Sequence, residues 1–240
     1  MSTTEQATGL GRIATKALDH VALWVADRDE LADFLCGHLG MHVIDRTDAF
    51  TLVGADARRG KLTLFAEEGP REPGLLARVI LGVSDLDGAL AGLPEGLEVD
   101  RPAADLATFE GPQGLGLGLC RVPPGGVEYD VESVVLRVPV PDRTYAELEP
   151  LGFEWDGIGL ELDGKRLLLE EGDPDDGGRP LLNHIALLVE SAAESRDEAE
   201  RRGVEVADFV DAANTVAVFV WGPERIKLEY VEHKPGFSLT

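Results

Sequence analysis

The chain has 240 residues, of which 44% are hydrophobic, and its 45 acidic against 22 basic side chains give a formal net charge of −23. The length suits one large or two small domains, so it leaves the domain number open. The negative charge repels phosphate backbones and anionic lipids, which argues against nucleic-acid and membrane partners. The sequence has no apolar stretch of signal-peptide or membrane-spanning length, and its two cysteines lack a C-x-x-C spacing, so a cytoplasmic protein is expected.

Residues 1–16 are predicted to form a flexible leader, and after them one pattern recurs along the chain. A strand-like run, "LDHVALWVAD", opens at 18–27, and similar runs open at 76–85, 131–140 and 182–191. Each run is followed by a stretch with helical periodicity and then by two or three short β-like runs. This order predicts a βαβββ unit that occurs four times.

Stretches rich in Gly, Pro and acidic residues separate the four units and set their predicted limits. Module 1 is predicted at 17–68, module 2 at 75–122, module 3 at 129–171 and module 4 at 181–235. Three successive strands in each unit suit small sheets that close by pairing, so four units predict two paired domains.

Two histidines occupy corresponding places in the first strands of modules 1 and 4. Strand alternation puts His20 and Trp24 on one face, and Val21 and Val25 on the face that a helix would cover. A lone histidine at a strand end usually just finds a hydrogen-bond partner. However, "LNHIALLVE" places His184 at the matching position of module 4, whereas modules 2 and 3 have arginine and serine there. The repetition makes both histidines candidate metal ligands.

This pattern resembles the vicinal oxygen chelate superfamily, which includes glyoxalase I, bleomycin and fosfomycin resistance proteins, epimerases and type I extradiol dioxygenases. The resemblance covers about residues 17 to 235 and is strongest in modules 1 and 4. It implies an α+β fold in which four βαβββ modules form two cupped, barrel-like mixed sheets with helices outside. It also implies metal ligands at the start of the first strand and in the last strand of a module.

The last strand of module 4, in "WGPERIKLEYVE", is similar to the family's apolar-Glu-apolar step, which makes Glu229 the matching carboxylate. Thr63 stands at the equivalent place in module 1. The resemblance therefore implies a metal site of His20, His184 and Glu229. Two imidazoles and a carboxylate favour Fe(II) and also accommodate Mn(II), Zn(II) or Ni(II). If they share one ion, modules 1 and 4 must form one cup, within the chain or across a homodimer, while modules 2 and 3 form a metal-free cup.

Three protein ligands with open positions favour one reaction of this superfamily, extradiol-type ring cleavage of a small catechol-like diol by O2. That reaction needs a metal which binds the diol and dioxygen together. A glyoxalase-like or epimerase-like isomerase or lyase, with water or Thr63 as a further ligand, is one alternative. A metal-free protein that binds a small molecule, as resistance proteins do, is another.

The acid-base group of such an enzyme is not identified by the resemblance. Phe219 stands where the extradiol pattern has tyrosine, which leaves His42, Tyr230 and His233 as candidates. Apolar and aromatic side chains usually line a small-molecule site. The side chains expected in the substrate pocket are Thr63, Trp24, Phe219 and Trp221.

Overall fold

The structure is a computed structural model that describes residues 11–56, 60–175 and 177–237. Modules 1 and 4, which carry the two candidate histidines, each have a strand, a helix and three further strands. In module 1 these are β1 (Ala17–Val25), α1 (Arg28–His38), β2 (His42–Arg46), β3 (Phe50–Gly54) and β4 (Lys61–Ala66). In module 4 they are β13 (Leu182–Leu188), α4 (Ala192–Arg201), β14 (Glu205–Asp211), β15 (Thr215–Trp221) and β16 (Lys227–His233).

Modules 2 and 3 have the same order of elements. Module 2 consists of β5 (Leu76–Val83), α2 (Leu86–Ala91), β6 (Val99–Ala103), β7 (Leu106–Glu110) and β8 (Gly116–Arg121). Module 3 consists of β9 (Asp130–Val138), α3 (Pro141–Leu148), β10 (Glu154–Trp155), β11 (Leu160–Leu162) and β12 (Lys165–Glu171). None of the helices within the described ranges is both long and apolar enough to cross a bilayer.

The strands form two mixed sheets of eight strands each. The first sheet has the order β14-β15-β16-β13-β1-β4-β3-β2, so modules 1 and 4 are joined within one chain by the antiparallel pair β1 and β13. The second has the order β10-β11-β12-β9-β5-β8-β7-β6 and joins modules 2 and 3. The α+β fold of two cupped mixed sheets is confirmed, but neither sheet closes into a barrel.

Strand alternation determines which face of β1 the helix covers. Val21, Leu23 and Val25 are fully buried in the main core, together with Leu31 and Leu35 of α1. Asp27 caps this helix by accepting hydrogen bonds from the backbone N–H groups of residues 29 and 30. The helix-covered face of the strand is therefore apolar, and His20 is left for the opposite face.

The segment before β1 differs from the expected flexible leader in its last residues. Residues 1–10 lie outside the described part of the chain. Ile13 is only 2% exposed, and its backbone N–H donates to the carbonyl of Pro150 at 3.1 Å. Arg12 donates to the carbonyl of Phe153 at 2.9 Å. These contacts attach the segment before β1 to module 3, and burial of the Ile13 side chain stabilises this attachment.

Two side chains connect the halves of the molecule close to the strands that carry the candidate ligands. The side-chain oxygen of Gln113 in module 2 accepts hydrogen bonds from the backbone N–H groups of Ala26 and Asp27, at 3.1 and 3.2 Å. The hydroxyl of Tyr230 in β16 donates to the carbonyl of Leu151 in module 3 at 2.8 Å. The two sheets are therefore linked just after the end of β1 and at β16.

Candidate metal centre

Three side chains from β1, β13 and β16 meet at one point of the first sheet. Nε2 of His20 lies 3.2 Å from Nε2 of His184. Oε2 of Glu229 lies 2.8 Å from Nε2 of His184 and 3.3 Å from Nε2 of His20. The structure thus brings the three sequence-predicted ligands together, and their donor atoms lie within 4.8 Å of one another.

The register of the strands explains why these residues meet. His20 pairs with Ala186 across the β1 and β13 ladder, and the same Ala186 pairs with Glu229 on its other side. In module 1, Thr63 pairs with Ala22, two residues after His20, as Glu229 pairs two residues after His184. Thr63 therefore occupies the position related to Glu229 by the internal repeat, and its side chain is buried.

Hydrogen bonds to the other ring nitrogens orient both imidazoles. Nδ1 of His20 lies 2.8 Å from Oδ1 of Asp19, and Nδ1 of His184 lies 3.1 Å from Oδ1 of Asn183. Carboxylate and amide oxygens are acceptors, so these contacts assign the ring proton to Nδ1 in each neutral imidazole. The lone pairs of both Nε2 atoms then point into the site, the orientation that metal-binding histidines adopt.

One oxygen of the carboxylate provides a test of whether the site fits a cation. Oε2 of Glu229 is buried and, among the described residues, has no partner with hydrogen-bond geometry, although two imidazole nitrogens lie close to it. A buried anionic oxygen without a partner is costly. A divalent metal ion would satisfy this oxygen and both Nε2 lone pairs together, so these donors fit such an ion.

The electrostatics of the metal-free cluster also favour a positive charge between these groups. Burial lowers the pKa of His20, but Asp19 and Glu229 outweigh it and raise that pKa to about 9. Burial keeps the pKa of His184 below its usual value despite the nearby carboxylate. Burial raises the pKa of Glu229, but the two imidazoles beside its carboxylate outweigh burial and lower that pKa to about 2. The carboxylate is thus ionised, and a cation stabilises it.

Asp19, which the sequence did not identify as a site residue, connects this cluster to Lys61 and His233. Its two oxygens accept hydrogen bonds from Nζ of Lys61 at 3.0 and 2.9 Å, and Oδ2 lies 3.2 Å from Nε2 of His233. Burial raises the pKa of Asp19, but hydrogen bonds with His20 and His233, together with the charge of Lys61, hold it well below its usual value. An ionised Asp19 therefore orients His20.

A strand irregularity explains why alternation did not predict this contact. Adjacent residues of a regular strand point to opposite faces, so Asp19 should point away from His20. The register of β1 against β13 shifts between Leu18 and His20, which marks a β-bulge. Bulges redirect side chains and are common beside functional sites. The only sequence signal for Asp19 is its position directly before His20.

The three candidate acid-base residues lie apart from the donor atoms. His42 is exposed at the start of β2, the edge strand of the sheet. Tyr230 points into the core, because its neighbour Glu229 takes the opposite face of β16. His233 contacts Asp19 and stacks on Phe237 with 3.9 Å between ring centroids. The structure thus places His42 on the exposed edge and Tyr230 in the core, and it makes His233 a neighbour of the orienting carboxylate.

Aromatic rings lie close to the imidazole of His184. The ring of Phe219 lies 5.1 Å from that of His184, and the ring of Phe65 lies 6.4 Å from it. Trp24 packs against Phe65 at 5.4 Å. Phe65 was not predicted, because a strand phenylalanine carries no signal of its own. These rings give the site an apolar, aromatic border.

Two positively charged side chains lie close to the ring of Trp221. Nζ of Lys227 lies 5.0 Å from the ring centroid of Phe219 and 5.4 Å from that of Trp221. The guanidinium of Arg225 lies 4.0 Å above Trp221. Cations over aromatic faces are attracted by the ring quadrupole. The border at β15 and β16 therefore presents both aromatic surface and positive charge.

The position of Tyr230 leads to a prediction that separates structural from catalytic roles. Tyr230→Phe removes the hydroxyl and leaves the carbonyl of Leu151 without this donor, so we expect the free energy of unfolding to fall by about 1–2 kcal/mol. The metal affinity of the folded protein should not change. Urea unfolding followed by circular dichroism and a metal titration measure the two effects, and a large loss of metal affinity would contradict this placement.

Comparison with known proteins extends these observations. The family model of the Glyoxalase/Bleomycin resistance protein/Dioxygenase superfamily matches residues 17–213. The chain belongs to this superfamily. The matched residues include His20 and His184 but end before Glu229. The position of Glu229 in β16 is therefore the support for Glu229 as a ligand. Members of the superfamily are mostly metal-dependent enzymes that bind small-molecule substrates and often act as dimers.

Solved structures share the fold of this superfamily member at low sequence identity. A "putative dioxygenase" from Bacillus subtilis has a TM-score of 0.74 and 18% identity, covering 93% of this chain and 87% of its own. Glyoxalase I from Zea mays has a TM-score of 0.71 and 15% identity, with coverages of 91% and 92%. The cppA protein from Streptococcus pneumoniae has a TM-score of 0.63 and 14% identity, with coverages of 90% and 99%. A search of curated proteins finds no match.

Proposed function

We propose that this protein is a metal-dependent enzyme that binds one divalent ion, preferably Fe(II), through His20, His184 and Glu229 and opens the ring of a small catechol-like diol with O2. The observation that carries the proposal is the convergence of two Nε2 atoms on a buried carboxylate oxygen that has no hydrogen bond among the described residues. An ion with three protein ligands would act as a Lewis acid with open positions for the vicinal oxygens of a diol and for dioxygen.

The residues around the site would prepare it for such a substrate. Asp19 and Asn183 hold the imidazoles with Nε2 directed inward. Trp24, Phe65 and Phe219 offer aromatic surface against which a flat ring can pack, which helps to exclude water. The positive charge of Lys227, 5.0 Å from the ring of Phe219, favours an anionic diolate over a neutral phenol.

The number of protein ligands distinguishes this reaction from the main alternative. Glyoxalase-type members generally supply four ligands, two from each module, and here the fourth place holds Thr63. A buried threonine hydroxyl is a weak neutral donor, which leaves more of the coordination sphere for substrate and O2. The same buried hydroxyl favours the second candidate, an isomerase or lyase in which Thr63 or water completes the coordination. The convergence of these three donors within 4.8 Å argues against a metal-free binding protein.

Metal content and oxygen uptake test the proposal. Protein purified without a metal-binding tag should take up about one Fe(II) per chain under anaerobic conditions, and an oxygen electrode should record one O2 consumed for each substituted catechol consumed. His184→Ala should abolish both, whereas His42→Ala, which removes an exposed histidine, should leave both unchanged.

Two results would contradict parts of this proposal. If the wild-type chain binds no divalent metal in repeated preparations, both enzyme reactions are wrong. If it binds metal but consumes no O2 with any catechol, while it exchanges protons of an α-hydroxy ketone with solvent deuterium, the isomerase or lyase is the correct reaction. Proton NMR in deuterated buffer measures that exchange.

A further inference from the structure

We infer that the concave face of the second sheet is a separate binding site for a small organic anion, one with a carboxylate group and an apolar body. A cavity of about 440 Å³ opens there beside Arg78, and its lining consists of Arg78, Asp100, Arg101, Pro102, Leu106 and Thr108. This volume lies in the usual range of small-molecule sites. We call the concave face of the second sheet the second cup. The inference does not depend on the reaction proposed for the first sheet.

The internal repeat shows what the second cup has in place of metal ligands. Arg78 pairs with Val135 as His20 pairs with Ala186, so Arg78 takes the place of His20. Ser133 takes the place of His184, since it pairs with the residue two positions after Arg78. The position of Glu229 is held by Leu168. A guanidinium therefore stands where the first sheet has the candidate ligand His20, and these positions of the second sheet lack metal-binding side chains.

Arg78 has hydrogen-bond donors to spare. Its Nη1 lies 3.2 Å from Oε2 of Glu170. Arg137 binds the other oxygen of that carboxylate through two nitrogens, at 3.2 and 2.9 Å. One carboxylate thus serves two guanidinium groups. No other hydrogen bond or ion pair of Arg78 occurs within the described ranges, so most of its five N–H donors can bind a ligand.

Arg101 is the second arginine in the cavity lining, and its carboxylate partner lies on α2. Arg101 lies 3.0 Å from a carboxylate oxygen of Asp87, and Arg121 approaches the other oxygen of Asp87 at 3.6 Å. Asp100 is the carboxylate in the cavity lining, and it is exposed to water. The lining thus holds two arginines, each paired with a carboxylate outside the lining, and one exposed aspartate. An anion would bind there through the spare N–H donors of Arg78.

The floor of the second cup is apolar and separate from the main core. Ala77, Ile80 and Val135 form a small cluster of their own. Leu106, Cys120 and Leu168 pack against this cluster, and Leu106 also lines the cavity. An arginine fork matches a carboxylate in geometry and charge, while the apolar floor would bury a hydrocarbon body. The combination fits an organic carboxylate better than inorganic phosphate.

Calorimetric titration of the full chain with benzoate tests this inference, in metal-free and metal-loaded protein. Benzamide is the neutral analogue of the same shape, and inorganic phosphate is the anion without an apolar body. We expect benzoate to bind at least tenfold more tightly than either, equally well with and without metal. Arg78→Met should weaken benzoate binding at least tenfold. Arg143→Met, which removes an exposed arginine paired with Glu147 on α3, should not change it.

Arg101→Met provides a second variant, so that the test does not depend on the folding of one protein. Arg78→Met leaves Glu170 paired with Arg137, and circular dichroism and metal uptake by the first sheet verify that each variant is folded. The inference is overturned if benzoate binds no better than benzamide, if phosphate binds as tightly as benzoate, or if both arginine variants bind like Arg143→Met. Loss of benzoate binding in His184→Ala but not in Arg78→Met would assign the ligand to the first sheet and overturn it as well.

Discussion

Glu229→Gln is expected to lower the affinity for a divalent metal more than about 100-fold, a larger loss than the 10- to 100-fold typical of changes outside the ligand set. The substitution keeps the shape of the side chain but removes the only negative charge among the three donors. Two neutral imidazoles and an amide interact too weakly with a divalent ion to offset the hydration free energy that the ion loses on binding. Titration calorimetry with Mn(II) or anaerobic Fe(II) measures the change directly.

Thermal unfolding provides an independent measurement of the same loss. A metal at 100 times its dissociation constant stabilises the folded protein by about 2.7 kcal/mol, which raises the Tm of the wild-type chain. Glu190→Gln is the matched control, because Glu190 is an exposed glutamate paired with Lys16 and its substitution changes the net charge equally. The control should retain the metal-dependent rise in Tm, and Glu229→Gln should not. A full rise in Glu229→Gln would exclude Glu229 as a ligand.

Asp19→Ala is expected to lower the free energy of unfolding by about 3–5 kcal/mol, the usual result when one partner of a buried ion pair is removed. Lys61 is only 3% exposed, and both of its hydrogen bonds to side chains in the described structure go to Asp19. Without Asp19 the ammonium is buried and unpaired. His20 also loses the acceptor for Nδ1, so the metal affinity of the folded protein should fall about 10- to 100-fold.

The double variant Asp19→Ala/Lys61→Met separates the two effects. Replacing the lysine by an apolar side chain of similar length removes the unpaired charge, so most of the stability should return. The metal affinity should stay low, because His20 still lacks the carboxylate that orients it. Urea unfolding and metal titration of the four proteins in the cycle test this. If metal affinity recovers together with stability, Asp19 does not position His20.

Much of this fold follows from local patterns that are visible in the sequence. The repeated strand, helix and three strands predict the four modules, because each element has its own periodicity and length. Alternation along β1 correctly assigns Val21 and Val25 to the helix-covered face. Alternation cannot anticipate the β-bulge, since a bulge depends on how β1 pairs with β13. The contact of Asp19 with His20 was missed for this reason.

The sequence by itself determined the repeated modules, the faces of their first strands, and two histidines at equivalent positions with a glutamate in the last module. These are properties of chain segments, and local periodicity specifies them. Only the tertiary structure decided that β1 lies beside β13 within one chain, which brings His20 close to His184 and Glu229. It also placed Tyr230 in the core, Lys61 against Asp19 and Arg78 over the second cup. Strands that are far apart in sequence pair only when the whole chain packs, so no single stretch of the sequence specifies these pairings.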